Sequence, residues 1–155
     1  MVAASGVVTV PLGVGRAAPF FPVPAGRSRR TSAERRRSYD FGLAAERDAA
    51  HFLRAGGYAI LRQRFKGRSG EIDLVAQRDD TVAFVEVKAR RRGWDGLDAL
   101  DWRKQARISA AADEWLAAHP VYAGYCQRYD IALVWPGGAI EYLENAFEHV
   151  ESGGW

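Results

Sequence analysis

Apolar and polar residues alternate most clearly in two short runs, Glu71-Ile72-Asp73-Leu74 and Val85-Glu86-Val87-Lys88, and this period of two predicts strands. The runs extend to strands over residues 71–76 and 81–89, with a further strand over 58–66. Residues 128–135 form a more continuous apolar stretch, as a buried strand does, and Gly137-Gly138 turns it toward a segment from Ala139 to Leu143. Two stretches change to helical spacing. Residues 40–55 place Phe41, Ala45, Ala49 and Phe52 on one stripe and stop at Gly56-Gly57. Residues 98–118 place Leu100, Ile108, Ala111, Trp115 and Leu116 on one face, with Asp98 as N-cap and Pro120 just past the end. The elements together predict an α/β domain.

Asp79-Asp80 is turn-forming and separates two of the strands, so a two-residue hairpin loop centres there. Paired residue numbers in that hairpin sum to 159, which sets Asp73 opposite Glu86 and Glu71 opposite Lys88. All four then share one face, and Ile72, Leu74, Val85 and Val87 share the other, beneath a covering helix. Facing carboxylates on adjacent strands repel by a few tenths to about 1 kcal/mol. A hairpin built for stability alone avoids that arrangement, and a bound cation removes the objection. Mg²⁺ takes one or two carboxylates and completes its shell with waters and phosphate oxygens, which is the chemistry Asp73 and Glu86 offer. Lys88, roughly 6–7 Å along the same face, is placed to orient or deprotonate an attacking water, or to neutralise charge on phosphorus. The competing explanation is a solvated hairpin of cross-strand ion pairs. Asp73 in register with Glu86, and the Phe84-Val85 lead-in, favour the metal site.

With these residues in place the chain resembles the PD-(D/E)xK nuclease superfamily, and within it the YraN family of small endonuclease-like proteins related to Holliday junction resolvases. The resemblance spans residues 39–150. It is carried by Gly42 with Ala45-Glu46, by Gly70-Glu71-Ile72-Asp73-Leu74-Val75-Ala76, by Phe84-Val85-Glu86-Val87-Lys88-Ala89-Arg90, by Arg128-Tyr129-Asp130 and by Asn145-Ala146-Phe147. Ile72 stands where the superfamily motif has its proline. The resemblance implies a restriction-endonuclease-like core, a mixed β-sheet with one helix before the hairpin and another after it. It also implies metal ligation by Asp73, Glu86 and the backbone carbonyl of Val87, with Glu46 as an additional acid and Lys88 activating water. Spacing alone leaves Glu46 open between an ordinary surface glutamate and a carboxylate delivered to the hairpin by the small residues Gly42, Ala49 and Ala50 around it. The expected activity is hydrolysis of nucleic-acid phosphodiester bonds, DNA in repair or recombination, with Mg²⁺ or Mn²⁺ as cofactor. The alternative is a nucleic-acid-binding module that keeps the fold and cuts nothing. Resolving a four-way junction would need two active sites and hence a homodimer, although no sequence feature marks a dimer interface.

Composition sets limits on this picture. A chain of 155 residues that is 48% hydrophobic supports one packed domain and not two. Cys126 is the only cysteine, so no intrachain disulfide can form, and it reads as a small buried hydrophobe. His51, His119 and His149 are too scattered for a zinc site. No apolar run is long enough for a bilayer, and the chain reads as reduced and cytoplasmic, without membrane contact.

The net charge of +3 divides into +6 over residues 1–38 and −3 over residues 39–155. Residues 1–38, rich in Gly, Pro, Ala and Val and then arginine, read as a disordered extension, residues 39–150 as the nuclease-like domain and residues 151–155 as a tail. The extension fits a basic arm, an organellar transit peptide or a start codon placed too far upstream. The third reading is favoured because Met1 is the only methionine and arginine outnumbers lysine 19 to three.

Within the domain, Arg62, Arg64 and Lys66 fall on one strand face with Arg68 beyond, and Arg90 and Arg91 follow Lys88. Arg103, Lys104 and Arg107 cluster at the start of the second helix, where the helix dipole also favours phosphate. These nine residues are the candidate nucleic-acid contacts. A solvated edge strand and a solvated basic helix turn are the plainer alternatives. Trp94 stacks on an unpaired base or simply packs.

Overall fold

The structure, a computed structural model, describes residues 31–90 and 100–151, which fall within a single unit, Thr31–Trp155. Arg91, Arg92, Trp94, Asp98 and the extension through Arg30 lie outside the described residues.

Helix α1 spans Ser32–Ala55. It is opened by a capping box in which the Thr31 hydroxyl accepts from the Glu34 N–H (3.2 Å) and the Glu34 carboxylate accepts from the Thr31 N–H (2.8 Å). Residues 32–38, read from the sequence as part of the disordered extension, therefore belong to this helix. Its buried face is Ala45, Ala49, Ala50 and Leu53, whose alanines bring the helix close to the sheet. Phe52, expected in that stripe, is 43% exposed and lies beside Tyr142 with ring centroids 5.7 Å apart. The Ala45–Ala49–Leu53 line is spaced by four, and Phe52 falls one position off it. Gly57, at φ 84°, ends the helix.

Five strands follow: β1 (Ala59–Lys66), β2 (Glu71–Arg78), β3 (Thr81–Ala89), β4 (Cys126–Val134) and β5 (Ile140–Phe147). They form one sheet in the order β1-β2-β3-β4-β5, antiparallel except for the parallel β3–β4 pair. A parallel neighbour requires a crossover, and helix α2 (Trp102–Ala118) provides it. This is the mixed sheet with flanking helices of a restriction-endonuclease-like core. The α2 N-cap is Asp101, whose carboxylate accepts from the Lys104 N–H at 2.8 Å, three residues later than the Asp98 cap expected. Among the described residues no helix is long and apolar enough to cross a membrane.

The sheet is covered on both faces. Alanines 45, 49 and 50 and Leu53 of α1 pack with Leu74, Ala76, Ala83, Val85, Ala132 and Val134. On the other face Ile108, Ala111, Ala112 and Trp115 of α2 pack with Ile72, Val75, Val82, Phe84 and Tyr129. Ile72 was expected on the same side as Leu74 and Val85, and here it joins the opposite core. Strict alternation holds along β3 and fails on β2 between Ile72 and Leu74, that is, at Asp73. Cys126, expected to be buried, is exposed at the first position of β4.

Asp130 is fully buried on β4 and saturated. It accepts from the Arg128 guanidinium (2.9 Å), the Tyr142 hydroxyl (2.6 Å) and the Asn145 N–H (2.8 Å). Arg128 continues to the Tyr58 hydroxyl (2.5 Å), so the network joins β4, β5 and the link between α1 and β1. Burial, with the Asp130 charge adding, keeps the Tyr142 phenol protonated far above its ordinary range. Asp130→Ala removes the central acceptor of the network, leaving Arg128 with Glu144 (3.3 Å) and the Tyr58 hydroxyl and leaving the Tyr142 hydroxyl without its acceptor. It is expected to lower unfolding free energy by about 3 kcal/mol in urea titration. A loss below about 1 kcal/mol would show that the network is dispensable for stability.

Candidate metal centre

The β2–β3 ladder has the expected register, from Arg78↔Thr81 to Leu74↔Val85, every pair summing to 159. It ends there. The next backbone donor, the Val87 N–H, gives its hydrogen bond to the Asp73 carboxylate at 2.8 Å. A side chain thus takes a place that a carbonyl of β2 would otherwise fill, and the strands part beyond it. In an extended strand the N–H and C=O of one residue point to the same neighbour, so the Val87 carbonyl faces the same gap.

Glu86, only 5% exposed, is the most deeply buried acid of the group. Its Oε1 receives two ammonium groups, Lys88 Nζ at 2.9 Å and Lys104 Nζ at 3.2 Å. Its Oε2 is buried and has no hydrogen-bond partner. Glu71, expected opposite Lys88, instead pairs with Arg64 (3.9 Å) and Lys66 (4.0 Å). With the ladder open beyond Asp73 no cross-strand contact holds Lys88 to Glu71. The lysine turns back along its own strand to the buried charge that most needs compensation.

Glu46 reaches the group from α1, and its carboxylate lies 3.7 Å from Arg64. Burial raises its pKa, Arg64 opposes the shift, and the charges of Glu71 and Glu86 add to it. Asp73 is pushed up from 3.8 to about 7, first by burial, then by Glu86 and Glu46, against the pull of the Val87 N–H and Lys104. Glu46, Asp73, Glu86 and Lys88 are therefore one electrostatic group. Four carboxylates (Glu46, Glu71, Asp73, Glu86) face four cations (Arg64, Lys66, Lys88, Lys104).

The donor set suits a hard cation. Among the described residues no three His, Cys, Asp or Glu side chains form a ready-made cage. Mg²⁺ does not need one, because it takes one or two carboxylates and retains waters. Asp73 and Glu86 supply carboxylate oxygens of that kind, one of them without a partner, where the Val87 N–H meets Asp73.

The basic residues separate into two groups. Arg64 and Lys66 both reach Glu71 (3.9 and 4.0 Å), and the left-handed backbone of Arg64 (φ 51°) interrupts the extended strand between Arg62 and Lys66. Arg64 turns inward to Glu46 and Glu71 and donates to the Tyr39 hydroxyl at 3.1 Å. Lys104 likewise turns inward. Arg62, Lys66, Arg68, Arg103 and Arg107 remain exposed, with Arg103 lying 5.6 Å over the Trp102 ring. Arg90 is half-buried and its N–H extends the β3–β4 ladder to Val134. The Arg68 and Ser69 N–H groups are both held by Glu114 of α2 (2.8 and 2.9 Å), which fixes the loop leading to Glu71. Gly70 lies so close to the Arg107 backbone that any side chain would collide. Neither the inward turn of Lys104 nor the Arg64–Tyr39 contact has a sequence signal, since each depends on tertiary distance.

A family profile described as "Uncharacterised protein family UPF0102" matches residues 45–134, an interval that contains Glu46, Asp73, Glu86, Lys88 and Lys104. A UPF0102 protein of Rhodopseudomonas palustris is 52% identical over 107 residues, covering 69% of this chain and 82% of that protein. A UPF0102 protein of Methylorubrum extorquens is 47% identical over 116 residues, covering 75% and 91%. One of Bradyrhizobium diazoefficiens is 44% identical over 117 residues, covering 76% and 88%. With more than half of the chain matched by the family profile and relatives this similar covered over most of their length, the chain belongs to the UPF0102 family, the nuclease-like YraN group.

Proposed function

We propose that this protein hydrolyses nucleic-acid phosphodiester bonds, those of DNA in repair or recombination, with Mg²⁺ or Mn²⁺. The observation that carries the reading is a buried carboxylate, Glu86, with one oxygen salt-bridged to Lys88 and the other without a partner, next to the Asp73 carboxyl. Asp73, Glu86 and the Val87 carbonyl would hold the cation, with Glu46 as a further acid. When bound, the cation supplies Lewis-acid charge that offsets the negative phosphate. Lys88, anchored to Glu86 at 2.9 Å, orients the attacking water and offsets charge as it develops on the phosphoryl oxygens. The Asp73 bond to the Val87 N–H holds that carboxyl at the opening before substrate arrives. Exposed Arg62, Lys66, Arg68, Arg103 and Arg107, with Arg90, provide salt-sensitive phosphate contacts, and Arg91 is a further candidate in the same stretch.

Asp73→Ala and Lys88→Ala are each expected to lower cleavage of a labelled DNA panel (duplex, single-stranded, flap and four-way junction) by about a hundredfold or more in Mn²⁺. Asp73→Ala should bind the same DNA as well as or better than wild type. Equal cutting by wild type and both variants would place the activity elsewhere. Tight binding with no cutting by wild type would leave a binding module.

The pH dependence has a definite sign. Below 3.8 Asp73 is protonated in folded and unfolded chains alike, and its raised folded value stabilises the metal-free fold fully there. That contribution is lost as pH rises from 3.8 to about 7. Urea titrations without metal should therefore show a downward slope across this window that Asp73→Asn reduces. Mn²⁺ uptake should strengthen through the same window as the proton leaves. An identical slope in the Asn variant would contradict the assignment of the shift to Asp73.

A further inference from the structure

Two lysines converge on one oxygen of Glu86, and one of them has no evident need to be there. Lys88 stands two residues along the same strand and makes the shorter contact, 2.9 Å. Lys104 comes from the first turn of α2, at 3.2 Å, and its charge also acts on Asp73. Its ammonium thus stands near both carboxylates that form the proposed ligand pair. Oε1 carries both ammonium groups while Oε2 is free, so a dication on Oε2 would repel two positive charges held by the same carboxylate, and Lys104 makes the longer of the two contacts.

We propose that Lys104 is the resident counter-ion of Glu86, displaced when a divalent cation binds, and that the released ammonium then holds a backbone phosphate of the nucleic acid. The inference rests on the metal-centre reading. Of the two lysines Lys104 makes the longer contact (3.2 against 2.9 Å) and is somewhat the more exposed (35% against 28%), so it is the one that leaves more readily toward the solvent side of the opening. Its backbone is held by the Asp101 cap, so the side chain moves while the helix stays fixed. Arg103 and Arg107 are exposed on the same stretch of helix, and the released charge joins a surface that already attracts phosphate. The lysine then links loading of the cation to loading of substrate, since the group that fills the empty site becomes a group that holds the ligand.

The test uses the full chain with Lys104→Met and Lys104→Arg. Mn²⁺ affinity is read by calorimetry, and binding of a fluorescein-labelled DNA duplex in Ca²⁺ is read across a salt series. Lys104→Met is expected to bind Mn²⁺ about tenfold more tightly, because a competing charge is gone. It should bind DNA more weakly, with the slope of log affinity against log salt reduced by about 0.9, one phosphate contact. Lys104→Arg should restore the slope. A lysine that merely supports the fold would not strengthen metal binding. If wild type binds Mn²⁺ and Lys104→Met binds it no more tightly, or keeps the full salt slope, the exchange is wrong and the metal centre stands. If neither protein binds Mn²⁺, the metal centre fails and the exchange fails with it.

Discussion

The hydrogen bond from the Val87 N–H to the Asp73 carboxylate is the contact on which the site depends. It stops the β2–β3 ladder at Leu74↔Val85 while β3 remains paired to β4 through Ala89↔Val134. The sheet is therefore continuous on one side of Glu86 and open on the other. An open strand edge in a packed core would leave donors and acceptors unmet. Here the Asp73 side chain meets one donor, and charged groups from β1, β3 and both helices gather around the opening. Ile72 crosses to the α2 core at the same point, so one side-chain contact coincides with both the break in alternation and the site.

Burial gives these charges their properties. Glu86 is nearly as inaccessible as the apolar core, and two lysines attend one of its oxygens. Asp73 responds by moving its pKa to about 7. Glu46 moves in the same direction. A group of buried acids held in check by lysines and protons is costly as a structural device, since apolar residues of similar volume stabilise as well or better. A dication would replace protons and ammonium groups together, which would give the arrangement a use beyond folding.

Much of this was legible in the chain. Asp79-Asp80 specified the hairpin register because a two-residue loop leaves no freedom in pairing. Asp73, Glu86 and Lys88 fell on one hairpin by alternation, and the resemblance added Glu46. The first turns of α1 were missed because residues 32–38 carry little apolar periodicity, although Thr31 and Glu34 had the spacing of a capping box. The shift of Ile72 was not readable, since alternation assumes backbone pairing and Asp73 replaces it with a side chain. Arg64 and Lys104 looked like surface phosphate contacts because charge along one element does not reveal what another element presents to it. Their partners lie on α1 and β3, and only the packed sheet brings them together.

The central claim is that Asp73 and Glu86 bind one divalent cation at the end of the β2–β3 ladder. Anomalous diffraction from crystals grown with Mn²⁺ tests it directly. The account predicts a peak bonded to both carboxylates, with Glu86 Oε2 and the Val87 carbonyl turned toward it. Crystals saturated with Mn²⁺ that show no peak there, and both lysines still on Glu86 Oε1, would contradict it.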